Sequence, residues 1–401
     1  MKRTSYDVIV AGHICFDVIP RLLGAGEDFF KAFKPGKLID IGEAAVSTGG
    51  PVSNTGIGLL KLGAKTSLMG KVGTDFFGRA ILEKLREIGL DKSMTVVEGE
   101  HTSYTLAITP PKIDRIFLHC RGTNNTFGFE DVNYDIVAKT KVFHFGYPPL
   151  MKRIYEHNGA ELTRIFQRAK EAGATTSLDM ALPDPSSPAG KEDWDQALRN
   201  TLPFVDLYLP SGEETLFMLD RKTFTARRAE AGRRDVLDCL HYEDLAAVAA
   251  KVLAYGAKVV VLKCGHLGMY VRTAPLKALQ DFGAWPPRSL EHWADRELWE
   301  PAFHVENVAS ATGSGDSAIA GFLAAYVRGL SLEQCLKYGC AVGAFNVTAF
   351  DAVSGIKSWD ETTQAIEAGW GKKPVPLLER EPQWRFDAAA RTWHGPLDRR
   401  V

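Results

Sequence analysis

Short apolar runs alternate with helical patterns along most of this 401-residue chain. The first run, at residues 7–12, ends in glycine and is typical of a strand that is buried in a parallel sheet. Similar runs lie at residues 66–70, 142–146, 175–179, 207–210 and 259–263. Helical patterns lie between the runs, at residues 51–62, 78–88, 161–172, 243–255 and 316–328. This alternation predicts βαβ units and a doubly wound α/β sheet.

Several segments interrupt the alternation. Four strand-like segments have no partner helix, at residues 15–22, 38–48, 104–109 and 116–119, with a turn expected at Pro110 and Pro111. We expect them to form a small β-sheet lid, over about 15–48 and 103–125. The arginine-rich residues 219–238 and the tryptophan-containing residues 273–303 are expected to be surface insertions. A main domain over 1–370 is then followed by a C-terminal extension over 371–401, which we expect to form a hairpin.

Composition excludes several classes of protein. The formal net charge is −1, whereas a nucleic-acid partner normally requires a basic face. No apolar run approaches the roughly 20 residues of a membrane span, so no membrane partner is expected. The six cysteines are scattered without a C-x-x-C pair, and residues 1–7 lead into a strand without a secretory segment. We therefore expect reduced thiols and a cytoplasmic location.

The stretch TGSGDSAIAGF, at residues 312–322, is a glycine-rich turn that leads into a helix. Backbone N–H groups of Gly313, Ser314 and Gly315 can stabilise an anion there, and so can the helix dipole. Asp316 in the same turn would repel a phosphate in the ground state. In phosphoryl transfer, however, a carboxylate there can serve as the general base for the attacking hydroxyl. The loop alone leaves two roles open for Asp316, catalytic base and helix cap.

A second glycine cluster favours the base. Residues 47–54 (STGGPVSN) precede a helix, and paired glycines let a ligand approach the backbone closely. Asn54 can both donate and accept hydrogen bonds, and Asp17 is expected near the end of the first strand, where open α/β sheets bind ligands. Asp17 and Asn54 beside the bare backbone of Gly49 and Gly50 predict a site for a polyol.

Together the two clusters resemble the ribokinase/PfkB family of carbohydrate kinases. The N-terminal motif is matched by GGPVSN at residues 49–54, Gly63 and GKVGTDFFG at residues 70–78; the C-terminal motif is matched by residues 312–322. The resemblance covers roughly residues 6–360. It implies a ribokinase-like three-layer α/β/α doubly wound sheet, with the lone strands as a lid over the sugar.

The resemblance also implies roles. Asp316 would be the base, with Gly313, Ser314 and Gly315 as the anion hole, and Asp17, Gly49, Gly50 and Asn54 would hold the sugar. The nucleotide side would include Lys263, Gly265 and Gly268, with Ser211 and Glu214, the latter placing magnesium through water. ATP and Mg²⁺ are thus the implied cofactors, and a homodimer formed through the lid is the implied assembly. Ser310 stands where the family motif usually begins with Asp, which leaves dependence on a monovalent cation open.

The expected function is ATP-dependent phosphorylation of a hydroxyl group of a sugar or sugar derivative. Two alternatives remain: a nucleoside kinase of the same fold, and a sensor that binds a sugar or nucleotide without turnover. An aromatic lid wall, for which Phe117 and Phe127 are candidates, would favour a nucleoside. The polar residues His119, Arg121 and Asn124 favour a sugar, but the sequence does not identify which one.

Overall fold

A ten-stranded sheet forms the centre of the protein, in a computed structural model that describes residues 5–22, 34–108 and 116–399. The strands of the molecule, in chain order, are β1 (Tyr6–Gly12), β2 (Cys15–Leu22), β3 (Ile41–Gly49), β4 (Thr66–Met69), β5 (Lys71–Gly73), β6 (Thr95–Val97), β7 (Tyr104–Ile108), β8 (Ile116–Cys120), β9 (Thr140–Gly146), β10 (Thr175–Leu178), β11 (Leu207–Tyr208), β12 (Val259–Lys263), β13 (Met269–Thr273), β14 (Glu297–Glu300), β15 (Arg385–Asp387) and β16 (Thr392–His394). The large sheet has the order β15-β16-β14-β13-β12-β11-β10-β9-β1-β4. From β4 to β12 neighbouring strands are parallel, and from β12 to β15 they are antiparallel.

Helices cover both faces of this sheet. They are α1 (Pro51–Lys61), α2 (Phe76–Glu87), α3 (Tyr134–Val137), α4 (Lys152–Glu171), α5 (Pro188–Lys191), α6 (Trp194–Thr201), α7 (Gly212–Leu219), α8 (Arg221–Ala231), α9 (Tyr242–Ala254), α10 (Leu276–Leu279), α11 (Ser314–Val327), α12 (Leu332–Asn346), α13 (Trp359–Glu367) and α14 (Pro376–Glu379). Helix α4 is interrupted by non-helical backbone at residues 156–159. In the described ranges, no helix combines the length and apolar character needed to cross a membrane.

Two hydrophobic cores, one on each face, explain why the strands are continuously apolar. In β1, Val8 and Val10 pack in the core that contains α1, α11 and α12, whereas Ile9 and Ala11 pack in the core that contains α4 and α9. Alternate side chains of a strand point to opposite faces, so a strand covered on both sides must be apolar at every position. The predicted three-layer α/β/α fold is confirmed.

The four lone strands form a separate sheet in the order β3-β2-β7-β8. Its site-facing row is Asp17, Thr105 and His119, which are aligned across β2, β7 and β8. The predicted β-sheet lid is therefore present as a structural element. The expected turn at Pro110 and Pro111, together with Thr109, lies outside the described residues.

The expectation of a surface insertion over residues 273–303 is wrong for its C-terminal part. Residues 297–300 form β14 inside the large sheet, and Trp293 and Trp299 are buried in the two cores. The sequence pattern is misleading because the apolar residues of this segment lie among several charged ones, as in WADRELWE at residues 293–300. Glu297 is nevertheless fully buried, since its carboxylate accepts hydrogen bonds from the hydroxyls of Tyr242 and Tyr270.

The C-terminal residues form the predicted hairpin, but it continues the large sheet. Strand β16 pairs with β14 as well as with β15. Behind this edge Arg296 is buried, with its Nε 2.8 Å from Asp398 Oδ1 and its Nη2 2.7 Å from Glu333 Oε1. A buried guanidinium that loses its carboxylate partner is strongly destabilising.

We expect Asp398→Ala to lower the free energy of unfolding by about 3 kcal/mol, because it leaves Arg296 with too little countercharge. Chemical denaturation of the full chain measures the change. Arg380→Ala, at an exposed position of the same tail, is the control and should change stability by less than about 0.5 kcal/mol. Equal stability of the two variants would show that the tail is only loosely attached.

Candidate active site

Five adjacent parallel strands carry polar residues to one edge of the large sheet. His13 follows β1, Tyr147 follows β9, Asp179 follows β10, Ser211 lies three residues beyond β11 and Lys263 ends β12. Because the carboxyl ends of parallel strands lie at the same edge, these residues converge although they are distant in sequence.

Asp316 lies buried at this edge, in the first turn of α11. Its Oδ2 accepts hydrogen bonds from Asn54 Nδ2 at 2.9 Å and from the Tyr147 hydroxyl at 3.1 Å. The helix begins instead from Gly313, whose φ of 70° is in the left-handed region and whose missing Cβ leaves room for Ala352. Asp316 is therefore not the helix cap. Among the described residues, its Oδ1 has no hydrogen-bond partner.

The surroundings of Asp316 shift the pKa of its carboxyl in both directions. Burial raises the pKa of the Asp316 carboxyl, while Asn54, Lys263 and Tyr147 lower it and Glu214 adds to the rise. Burial also raises the pKa of the Tyr147 hydroxyl well above its usual value. Tyr147 thus remains protonated at neutral pH and acts as a donor to the carboxylate.

The paired glycines lie where the lid meets the main domain. A Cβ on Gly49 would overlap the Asp17 carboxylate, and a Cβ on Gly50, where φ is 83°, would lie 2.5 Å from His13 Nδ1. Asp17 lies in lid strand β2 and not at the end of β1, as its distance from Gly12 suggested. Burial raises the pKa of its carboxyl, partly offset by hydrogen bonds from Cys15 and Thr105.

Two histidines connect the lid with the main domain. His13 Nε2 lies 3.2 Å from His119 Nε2, and His119 Nδ1 lies 3.0 Å from the hydroxyl of Thr105. Burial, with the neighbouring Arg121, lowers the pKa of His119 to about 4, and the pKa of His13 is also well below its ordinary value. Both rings are neutral at pH 7. The His13 ring centroid is 6.1 Å from that of Tyr147, which links this pair to Asp316.

A buried ion pair lies on the other side of Asp316. Lys263 Nζ is 2.6 Å from Asp179 Oδ1 and donates to the Leu209 carbonyl at 2.6 Å. Burial nevertheless raises the pKa of Asp179 to about 8, with Glu214 and Asp316 adding to the rise and Lys263 opposing it. A cluster of buried carboxylates of this kind favours a cation.

Ser211 and Glu214 form a capping box at the start of α7. Glu214 N–H donates to the Ser211 hydroxyl at 3.1 Å, and Ser211 N–H donates to Glu214 Oε2 at 2.7 Å. This arrangement fixes the Glu214 carboxylate at the edge of the sheet beside Asp179 and Tyr147, on both of which its charge acts.

A cavity of about 290 Å³ lies beside the glycine-rich turn. The candidate site residues that line it are Lys263, Gly265, Gly268, Ser314 and Gly315. Its apolar wall includes Phe303, Val305 and Val347. Gly313, Ser211 and Glu214 are not among its lining residues in the described part of the chain.

The structure adds His13, Tyr147 and Asp179 to the residues expected from the motifs. Each is the first polar residue beyond a buried strand, and this position was a usable signal. The structure also shows that two of the residues expected to line the lid, Phe127 and Asn124, are engaged elsewhere. Phe127 is buried in the main core, and Asn124 is occupied by hydrogen bonds with both the N–H and the carbonyl of Ile14.

A parallel sheet with a lid, a buried aspartate and a glycine-rich helix start define an α/β phosphotransferase type of site. The model of the pfkB family carbohydrate kinases matches residues 7–359. The chain belongs to this family and is a carbohydrate kinase.

Individual relatives are distant. A protein of Archaeoglobus fulgidus described as an uncharacterized sugar kinase is 23% identical over 300 residues, covering 75% of this chain and 98% of the relative. The 5-dehydro-2-deoxygluconokinase of Lacticaseibacillus casei is 23% identical over 323 residues, covering 80% of this chain and 86% of the relative. The structure of Arabidopsis thaliana ribokinase complexed with ribose and ATP has a TM-score of 0.65 at 18% identity, covering 90% of this chain and 99% of that one. At this identity the structural likeness establishes the fold.

We expect Tyr147→Phe to move the acid limb of the pH–rate profile to higher pH. The hydroxyl stabilises the ionised carboxylate of Asp316, so its removal raises the pKa of that group, and a base with a higher pKa becomes protonated at a higher pH. Kinase assays from pH 5 to 9 measure the shift. Tyr134→Phe, on α3 at the opposite edge of the sheet, is the control. Superimposable profiles for the two variants would contradict a role for Tyr147 at Asp316.

Proposed function

We propose that this kinase transfers the γ-phosphoryl group of ATP to a hydroxyl group of a sugar or sugar derivative, with Asp316 as the general base. The observation that carries the proposal is the buried Oδ1 of Asp316, which no described residue contacts by a hydrogen bond, while Oδ2 is held by Asn54 and Tyr147. One oxygen is fixed by two donors and the other is available for a substrate proton.

The glycine-rich turn provides the anion hole. In the described chain, the N–H groups of Gly313 and Gly315 have no acceptor, and they lie at the positive end of α11. Ser314 N–H already donates to the Ala311 carbonyl at 3.2 Å, so it would have to exchange this bond for a phosphate oxygen. The Lys263 side chain passes beside Gly315, where it adds positive charge to the same place.

The sugar side comprises Asp17, Gly49, Gly50 and Asn54. Asn54 Oδ1 is buried and, within the described residues, has no donor, so it is available to accept a hydrogen bond from a sugar hydroxyl. Asp17 is an acceptor on the lid, and the bare backbone at Gly49 and Gly50 lets the sugar lie between lid and sheet. Binding of the sugar would therefore hold the lid over Asp316.

The nucleotide side comprises the cavity at Lys263, Gly265 and Gly268, with Ser211 positioning Glu214. A bound Mg²⁺ would neutralise charge on the transferred phosphoryl group. The carboxylates of Glu214 and Asp179 fit such an ion, because the charge of Glu214 raises the pKa of Asp179 and a cation would offset this effect. Glu214 would act through water, as suits an ion that retains part of its hydration shell. The six free cysteines fit a cytoplasmic enzyme.

We expect Asp316→Asn to lower kcat by about 10²-fold or more, because an amide cannot accept the hydroxyl proton. Binding of ATP and of the acceptor, measured by calorimetry, should persist. Asp360→Asn, which changes an exposed aspartate in the first turn of α13, is the matched control and should leave kcat unchanged.

The same assay without an acceptor tests the transfer itself. The unsubstituted protein should consume ATP slowly on its own and rapidly with a good acceptor, since the acceptor places the hydroxyl beside Asp316. Equal rates with and without acceptor would favour an ATPase. Near-normal turnover by Asp316→Asn would remove Asp316 from the role of base.

The lid also supports a homodimer. On the face opposite to the row of Asp17, the residues Val46, Val18, Leu106 and Leu118 are aligned across all four strands, and of these Val18 packs against the main core. Val46 and Leu118, at the two ends of this row, are 47% and 54% exposed. An apolar row of this kind on the face of a small sheet is favourably covered by a second copy of the lid.

We expect a dimer in light scattering at micromolar concentration, and a monomer for Leu118→Lys, because a lysine buried in the contact would have no partner. Arg79→Gln, an exposed change on the neighbouring α2, should leave the dimer intact. A monomeric unsubstituted protein would contradict the proposed dimer and leave the proposed chemistry unaffected.

A further inference from the structure

Arg121 directly follows the last lid strand, β8, and is half-buried. Its Nη1 donates to the hydroxyl of Tyr155 at 3.3 Å, and its guanidinium carbon lies 5.7 Å from the centroid of the Tyr155 ring. No carboxylate of the described residues forms an ion pair with it. A guanidinium has five N–H donors, so the remaining ones have no acceptor in the described chain.

The position of Arg121 relative to the site follows from its neighbours. His119, two residues earlier, contacts His13, whose ring neighbours Tyr147, and Tyr147 donates to Asp316. The charge of Arg121 also reaches both histidines, since it contributes to the low pKa of each. Arg121 therefore lies near the histidine pair, whose contacts lead through Tyr147 to Asp316.

The charged groups on the two sides of the histidine pair have opposite signs. Asp316 and Asp17 are carboxylates that attract the hydroxyl groups of an acceptor, and the histidines between them and Arg121 are neutral. Arg121 is the cation at the end of the row. A half-buried charge without a countercharge is costly, and a ligand that brings the countercharge gains the corresponding interaction.

We infer that the acceptor is a sugar acid, whose carboxylate binds Arg121 while the hydroxyl group to be phosphorylated lies at Asp316. This inference rests on the proposed function. A planar carboxylate matches the flat guanidinium in a two-point hydrogen bond, which a neutral hydroxyl cannot make. The Asp17 and Asp316 carboxylates disfavour the opposite orientation, since they would repel an acid group placed among them.

Steady-state assays with three groups of acceptors test the inference. The acids are D-gluconate, 2-dehydro-3-deoxy-D-gluconate and 5-dehydro-2-deoxy-D-gluconate; the neutral compounds are D-sorbitol, D-fructose and D-ribose; the phosphorylated ones are D-ribose 5-phosphate and D-fructose 6-phosphate. D-Gluconate and D-sorbitol differ only at one terminal carbon. We expect the highest kcat/KM with an acid.

Variants of Arg121 make the test specific. Arg121→Gln should raise KM for the best acid at least 10-fold and leave KM for a neutral sugar and for ATP unchanged, whereas Arg121→Lys should retain part of the affinity. Arg79→Gln, an exposed arginine outside the site, is the control. A purely structural contact between Arg121 and Tyr155 predicts instead equal losses for acids and neutral sugars.

Two results would overturn the inference alone, and a third would overturn the proposed function with it. A neutral sugar or a sugar phosphate as the best acceptor would overturn the inference and leave Asp316-dependent transfer standing. Equal effects of Arg121→Gln on acids and neutral sugars would also overturn it. If none of the acceptors stimulated ATP consumption in an Asp316-dependent manner, the proposed function would fail together with the inference.

Discussion

The hydrogen bond from Asn54 Nδ2 to Asp316 Oδ2 joins two parts of the chain that are 262 residues apart. It connects the first turns of α1 and α11, and Thr55 adds a second bond to the Asp316 carbonyl. The two helices approach closely because Gly58 faces Ala320, where even a Cβ on Gly58 would lie only 2.8 Å away. The orientation of the Asp316 carboxylate depends on this contact.

The site around that bond concentrates negative charge in a buried place. The charges of Glu214 and Asp316 raise the pKa of Asp179, and the charge of Glu214 raises the pKa of Asp316, while Lys263 opposes both shifts. In the free protein this arrangement is costly, because buried like charges disfavour ionisation. A cation or a hydrogen-bond donor beside these carboxylates would reduce that cost.

Because side chains alternate along the lid strands, the lid sheet has one polar face and one apolar face. Asp17, Thr105 and His119 face the sheet edge, and the next row, which includes Val46 and Leu118, faces away. A shift of the register by one residue would exchange the two rows and remove the polar groups from the site. The same periodicity therefore sets both the polar inner surface and the apolar outer one.

Local sequence was sufficient to predict the doubly wound sheet, because strands that are covered on both faces are apolar at every position, as in Val8–Ala11. It also led to the prediction of Asp316 and Asn54 as site residues from their glycine-rich surroundings, and the structure brings these two side chains into contact. It failed at β14, where the burial of Glu297 depends on hydroxyl groups from two distant segments, and no local pattern encodes such partners.

The sequence by itself determined the parallel strands of the large sheet, the main helices between them and where the two glycine-rich motifs lie, because these follow from neighbouring residues. Only the tertiary structure decided that Tyr147 donates to Asp316, that Asp179 pairs with Lys263 and that Asp17 lies in the lid. The physical reason is that these contacts arise from the convergence of parallel strand ends. Their distances depend on how the whole sheet twists and packs, which no single segment specifies.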